Sequence, residues 1–145
     1  ITSYFSKCLL IICLVTSCPA EPAPTTIIFL GSLCDTLFEK IVKREIPADI
    51  IYEDELSLVI KDINPVAPIH LLVIPKKKIE KISDASKEDR ALLGHLMFVA
   101  GEVARDLGVQ ESFRLVVNNG KDAGQTVFHL HIHLIAGKNF TELSI

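Results

Sequence analysis

The sequence predicts an α+β domain: a mainly antiparallel five-stranded sheet carrying two helices. Three observations lead there. Apolar residues fall into five short, strand-like segments in an order that suits hairpins. A longer stretch, opened by Ser86 and stopped by Gly108, repeats its apolar residues at helical spacing instead. Pro, Gly, Asn and Asp mark the joints between segments. A chain of 145 residues is one domain's worth, enough to bury a core without metal or disulfide staples. The formal net charge of −3 supplies no long-range positive field for nucleic acid. Lys76, Lys77, Lys78 and Lys81 form a local basic cluster that reads as a solvated turn.

Residues 1–33 differ from the remainder and are read as an extension; the domain proper is 34–145. Lys7, the apolar run Cys8–Val15 and the small residues around Cys18 outline a secretory signal, and Val15-Thr-Ser-Cys18 resembles a lipoprotein cleavage box. The run is far shorter than the ~20 residues of a spanning helix. No Met starts the chain and a second apolar patch, Ile27–Leu30, follows, so non-native sequence is the competing reading. The four cysteines, Cys8, Cys13, Cys18 and Cys34, all lie in the first quarter of the chain, and everything after Cys34 is cysteine-free. The main domain therefore needs no oxidising compartment and offers no thiolate chemistry. A cytoplasmic location is expected, with a targeting or lipoprotein-like signal as the alternative.

Asp35 or Thr36 can cap a first helix, and Thr36 with Glu39 fits a capping box. Leu37, Phe38, Ile41 and Val42 share a face of it, and Pro47 ends the segment. Ile50–Tyr52 and Leu56–Ile60 read as strands joined by the turn 53–55. Asn64-Pro65 and Ala67-Pro68 make a rigid turn before a third strand, His70–Ile74. In the long helix, Leu92, Leu93, Leu96, Met97, Ala100, Val103, Ala104 and Leu107 are the expected core face. Phe113–Val117 is a fourth strand. After the loop Asn118–Gly124, Val127–Ala136 is the fifth.

That fifth strand holds three of the five histidines, in His129-Leu-His-Ile-His133. Alternate residues of a strand share a side, so the three imidazoles would line one face at ~6.5–7 Å intervals. Phe128, Leu130, Ile132 and Leu134 would line the other and bury. A one-residue slip would bury the imidazoles and expose four large apolar groups, so the register is fixed. Two chemistries suit such a row: metal binding, since imidazole is a common zinc ligand, and nucleophilic catalysis. The preceding loop, Gly120–Thr126, favours the second. Its glycines, backbone N–H groups and hydroxyl can cradle an anion beside the first imidazoles, which a metal site would not require.

Gly124-Gln-Thr-Val-Phe-His-Leu-His-Ile-His-Leu134 resembles the signature of the histidine-triad (HIT) family, in its Hint branch. Asp62-Ile-Asn-Pro-Val-Ala-Pro-Ile-His70 through Lys77 resembles that branch's second block. Thr36–Ile41 with Glu45–Ala48 resembles its opening helix and turn, so the similarity spans about 35–137. The resemblance implies a purine nucleoside phosphoramidase or nucleotidyl hydrolase that works without a cofactor or metal and pairs into a homodimer. It implies His131 as nucleophile, His129 and His133 as flanking partners and His70 as support for the proton network. It places Asp62 at the ribose, though a turn cap would explain that residue equally. It places Leu37, Phe38, Ile41, Ile60 and Ile63 around the base, where ordinary core packing is the alternative. Asn118, Gly124, Gln125 and Thr126 are placed around the α-phosphate, Thr126 standing where the family usually has serine. His95, in the long helix, matches nothing and reads as structural or exposed.

The implied reaction is in-line attack by neutral His131 on the α-phosphorus, giving a nucleotidyl-histidine that water then releases. A protonated partner among His70, His129 and His133 would supply the leaving amine. The branch normally continues into a Trp-Pro-Pro-Gly tail where this chain ends at Ile145, which bears on leaving-group preference. Two other classes remain open at this point: a zinc hydrolase or zinc-binding protein, weakened because no carboxylate falls in the histidine motif, and a nucleotide-binding adaptor with incidental activity.

Overall fold

In the computed structural model the structure describes residues 35–141, so the extension and its signal-like reading lie outside the described residues. The described residues form helix α1 (Leu37–Val42), strands β1 (Ile50–Glu53), β2 (Ser57–Lys61) and β3 (Ile69–Pro75), helix α2 (Arg90–Asp106), and strands β4 (Phe113–Val116) and β5 (Ile132–Ala136). The five strands make one sheet in the order β1-β2-β3-β5-β4, every pair antiparallel. This is the expected α+β architecture.

The sheet has two differently covered faces. Val59, Leu71, Val73, Ile132 and Leu134 lie under α2, which buries Leu92, Leu96, Val99, Ala100, Val103 and Ala104. Five of the eight residues expected on the core face of α2 are buried there, Leu93 packs against the core in part, and two face out. Met97 is 51% exposed and Leu107 also faces out, while Val99 is buried. Positions 92, 96, 99 and 103 follow one line along the helix, and 97 lies a 100° step off it. The opposite sheet face presents Leu58, Ile60, Leu72 and Ile74 to Phe38 and Ile41 of α1.

Six residues are too few to hold a helix by propensity alone. Burial of Phe38 and Ile41, at ~1.5–3 kcal/mol each, and the cap supply what propensity lacks. The capping box is formed as the sequence suggests: Glu39 N–H donates to Thr36 Oγ1 (3.2 Å), and Thr36 N–H donates to Glu39 Oε2 (2.8 Å). The helix ends before Pro47, because Arg44 turns into the left-handed region at φ 63°. Being short, α1 covers only part of its sheet face.

The fifth strand departs from expectation. Regular pairing begins at Ile132, so His129 and His131 precede the strand and Phe128 is 41% exposed rather than in the core. The reason is a lack of ladder partners. The last β3 pair is Val73 with Ile132, and the last β4 pair is Val116 with His133. Upstream, the chain bonds to a loop instead: Leu130 N–H donates to Ile79 O (2.6 Å).

The four clustered lysines are paired rather than merely solvated. Lys76 meets Glu53 (2.8 Å), Lys77 Asp89 (2.5 Å), Lys78 Glu39 (3.0 Å) and Lys81 Asp84 (3.5 Å). His95 is structural: its Nε2 lies 2.7 Å from Asp54 Oδ2, linking α2 to the β1–β2 turn.

Candidate active site

The uncovered part of the α1 face is a cleft of about 220 Å³. It is lined by the apolar side chains of Leu37, Phe38, Ile41, Ile60, Ile63 and Leu72 and by the polar ones of Asp62, Thr126, His131 and His133. The expected base-binding residues are therefore gathered in one place. Phe38, Ile41 and Ile60 belong to the core cluster as well, so packing and cleft lining are one role for them. Leu72 was missed by sequence reasoning, although its position two residues after His70 puts it on the same face. A larger depression of about 560 Å³ lies between Gln110 and Leu115 beside Phe140, but contains no histidine.

The histidines form one connected set. His131 and His133 stack edge-on at 5.0 Å between ring centroids, and Phe38 packs edge-on against His131 at 5.1 Å. His70 lies behind His133, with its Nε2 2.9 Å from His133 Nδ1.

Hydrogen-bond complementarity assigns the protons. His131 Nδ1 lies 2.8 Å from the His129 carbonyl oxygen, which can only accept, so Nδ1 carries the hydrogen. The Nε2 lone pair of neutral His131 is then free. His129 Nε2 donates to Pro75 O (2.8 Å), and its Nδ1 accepts from the Thr36 hydroxyl (3.3 Å). His70 Nδ1 accepts from Val66 N–H (3.3 Å), so its Nε2–H donates to His133 Nδ1. His133 is left with its hydrogen on Nε2.

Burial holds two of these rings neutral. His129 is 0% exposed and its pKa is lowered, chiefly by desolvation. His133 is lowered to about 4, first by burial and then by its neighbours His131 and His70. His129 does not line the cleft; both its nitrogens are engaged by the protein, and Thr36, read from sequence only as a cap, is one of the partners.

The remaining expected contacts divide. Asp62 Oδ1 accepts from Asn64 N–H (2.8 Å), which is the turn-cap reading, while Oδ2 lies in the cleft wall, 3.4 Å from His70 Nε2. Gly124 takes φ 85°, open to glycine, and a Cβ there would lie 3.8 Å from Asn118 Nδ2. Gln125 is 2% exposed, with both amide atoms bonded inside the protein. Thr126 lines the cleft.

Folding also brings a carboxylate to the histidines, which the linear motif concealed. Potential ligand atoms of Asp62, His70 and His133 all lie within 4.8 Å of one another. The hydrogen bonds oppose a cation there. Metal on His70 Nε2 would require the ring's hydrogen to move to Nδ1, against the Val66 N–H that already points at it.

A half-covered sheet whose open end holds an imidazole with a free lone pair defines a compact α+β domain organised around a histidine cluster. The HIT domain family model matches residues 43–140, and the chain belongs to that family. It is 59% identical to an uncharacterized HIT-like protein of Synechocystis sp. over 107 residues, covering 74% of this chain and 94% of that protein. Two solved structures are similar throughout the domain. A HIT family hydrolase from Clostridium thermocellum superposes with a TM-score of 0.75 at 43% identity, covering 79% of this chain and 100% of the other. One from Legionella pneumophila gives 0.73 at 42% identity, covering 74% and 97%.

Proposed function

We propose that this protein hydrolyses nucleoside 5′-phosphoramidates and related nucleotidyl conjugates, as the Hint-like sequence blocks suggest, through a nucleotidyl-His131 intermediate. One observation carries the reading: His131 lines the cleft and gives its Nδ1–H to the His129 carbonyl oxygen, which leaves the Nε2 lone pair for attack. A purine lies against Leu37, Phe38 and Ile41, the sugar passes Asp62, and the α-phosphate meets Thr126 and His131. Nε2 attacks phosphorus, the P–N bond breaks, and the leaving amine takes a proton. His133 Nε2–H is the donor left free by the network. In the empty cleft that ring is neutral at pH 7, but a phosphate anion beside it favours the protonated form and offsets the effect of burial; the added proton sits on Nδ1, where it displaces the hydrogen bond from His70. Water then attacks phosphorus and gives a proton to His133 Nε2, and the phosphorus–Nε2 bond to His131 breaks, giving the nucleoside monophosphate and restoring the His131 imidazole.

Incubation with adenosine 5′-phosphoramidate should release AMP, and His131→Ala should lose several orders of magnitude in turnover while still binding AMP. A His131→Ala protein with near-wild-type turnover would reject the mechanism. A competing, zinc-dependent reading would have to use the Asp62, His70 and His133 grouping against the hydrogen bonds already made there. Activity that disappears on exhaustive chelation and returns with one equivalent of zinc would favour it; activity that persists is the expected result.

A further inference from the structure

We propose that Gln125 is a positioning residue, which sets the phosphate end of the cleft by fastening the loop before His131 to the segment after β3. The inference rests on the reading that Thr126 and His131 handle the phosphate. It differs from a direct phosphate contact, because the side chain has no free atom to offer. Gln125 Oε1 accepts from Gly120 N–H (2.8 Å), and Nε2 donates to Glu80 O (2.7 Å) and Val127 O (3.0 Å). Gln125 N–H also donates to Gly120 O (3.1 Å). The residue closes its own loop with its backbone and ties that loop outward with its amide.

The need for such a fastening follows from the truncated fifth strand. Residues 127–131 have no ladder on either side, yet His131 must be held closely for attack. The segment 75–83 holds this stretch at two points and the loop before it at two more. Pro75 O takes His129 Nε2–H, Ile79 O takes Leu130 N–H, Glu80 O takes the Gln125 amide, and Ser83 N–H donates to Asn119 Oδ1 (3.0 Å). The segment is itself anchored to both helices' amino-terminal regions, through Lys78 to Glu39 and Lys77 to Asp89. Of the four links, Gln125 is the one immediately before Thr126, with a second bond to Val127 O. Thr126 therefore hangs between two backbone groups that the same side chain holds.

Gln125→Glu keeps size and the acceptor for Gly120 N–H, but turns a carboxylate oxygen toward two carbonyl oxygens. Gln125→Met removes the bonds without adding charge, should the first variant fail to fold. Three quantities separate positioning from direct contact: the rate of adduct formation on His131 in a single turnover, AMP affinity, and amide hydrogen exchange at Leu130 and Ser83. Positioning predicts at least a tenfold slower adduct together with tenfold faster exchange at both amides. Adenosine, which lacks phosphate, should bind within about twofold of wild type. Slower chemistry or weaker AMP binding with unchanged exchange would overturn the proposal in favour of direct contact. Faster exchange with wild-type chemistry and AMP binding would overturn it as well. If wild-type protein forms no adduct, the mechanism fails, and AMP affinity with exchange still decides the role of Gln125.

Discussion

At the scale of single residues, the histidines are differentiated by what their second nitrogens touch. Pairing of carbonyl, hydroxyl and amide groups gives His131 a free lone pair, removes His129 from the cleft and leaves His133 a donor. His133 also carries a pH signature. Its ordinary value is 6.5 and its folded value about 4, so below pH 6.5 the unfolded chain takes up a proton that the folded one refuses. The stability it contributes is complete above pH 6.5 and is lost as pH falls toward 4. Glu39, Asp54 and Asp89 are held at about 2, so their contributions fade in a lower range. Between pH 7 and 5 the wild-type urea midpoint should therefore fall, by an amount equivalent to roughly 1–2 kcal/mol from His133, with buried His129, whose pKa is also lowered, adding in the same direction. His133→Asn should reduce that fall without abolishing it; an equal decline in the variant would show that this ring does not contribute. The histidine row itself was legible from alternation. The proton positions were not, because they depend on Pro75, Thr36 and Val66, which meet the rings only after folding.

Among the elements, α1 depends on one hydroxyl in two ways. Thr36 Oγ1 accepts from Glu39 N–H and donates to His129 Nδ1. Removing it costs about 1 kcal/mol as a cap and leaves a buried nitrogen unpaired at about 1–3 kcal/mol. Thr36→Ala should therefore lose roughly 2–4 kcal/mol, a Tm drop on the order of 5–15 °C, while Thr36→Ser retains most of the stability. A loss under about 0.5 kcal/mol in calorimetry or urea unfolding would remove Thr36 from this role. The cap was visible in sequence as Thr36 followed by Glu39; its long-range partner was not. The fifth strand illustrates the opposite limit. His129-Leu-His-Ile-His133 alternates like a strand, and side-chain alternation does survive in part, since Leu130 and Ile132 bury. Alternation reports which way side chains point, whereas a ladder needs neighbours, and those end at Val73 and Val116. In α2 the helical period and most of the core face were correct; Met97 and Leu107 were misplaced and Val99 was omitted, because all three are as apolar as the line that buries.

For the whole molecule, we propose a homodimer. Met97 and Phe98, at 51% and 63% exposed, lie together on the outside of α2. Gly94 and Gly101 flank them one turn away on either side, with open space where a Cβ would be. That profile allows close approach by a second helix, and β4 is an edge strand that a symmetric copy could continue. Sedimentation equilibrium at micromolar concentration should give about twice 16.0 kDa, and Phe98→Glu should reduce it. A wild-type mass near 16 kDa would reject the dimer. Met97, Phe98 and Val99 are consecutive, and a helix cannot bury all three on one side; its phase sends Val99 into the core and leaves the other two outside.

The unequal cover of the sheet has a thermodynamic consequence. One face is closed by seventeen helical residues and the other by six, and the shortfall is the cleft. A nucleotide seated there against Phe38, Ile41 and Ile60 would be a detachable piece of the core. By mass action it would strengthen the native state by ~2.7 kcal/mol at a concentration one hundred times its Kd. Loaded and empty protein would then differ in resistance to heat and proteolysis, and turnover would periodically strip the molecule of part of its own packing.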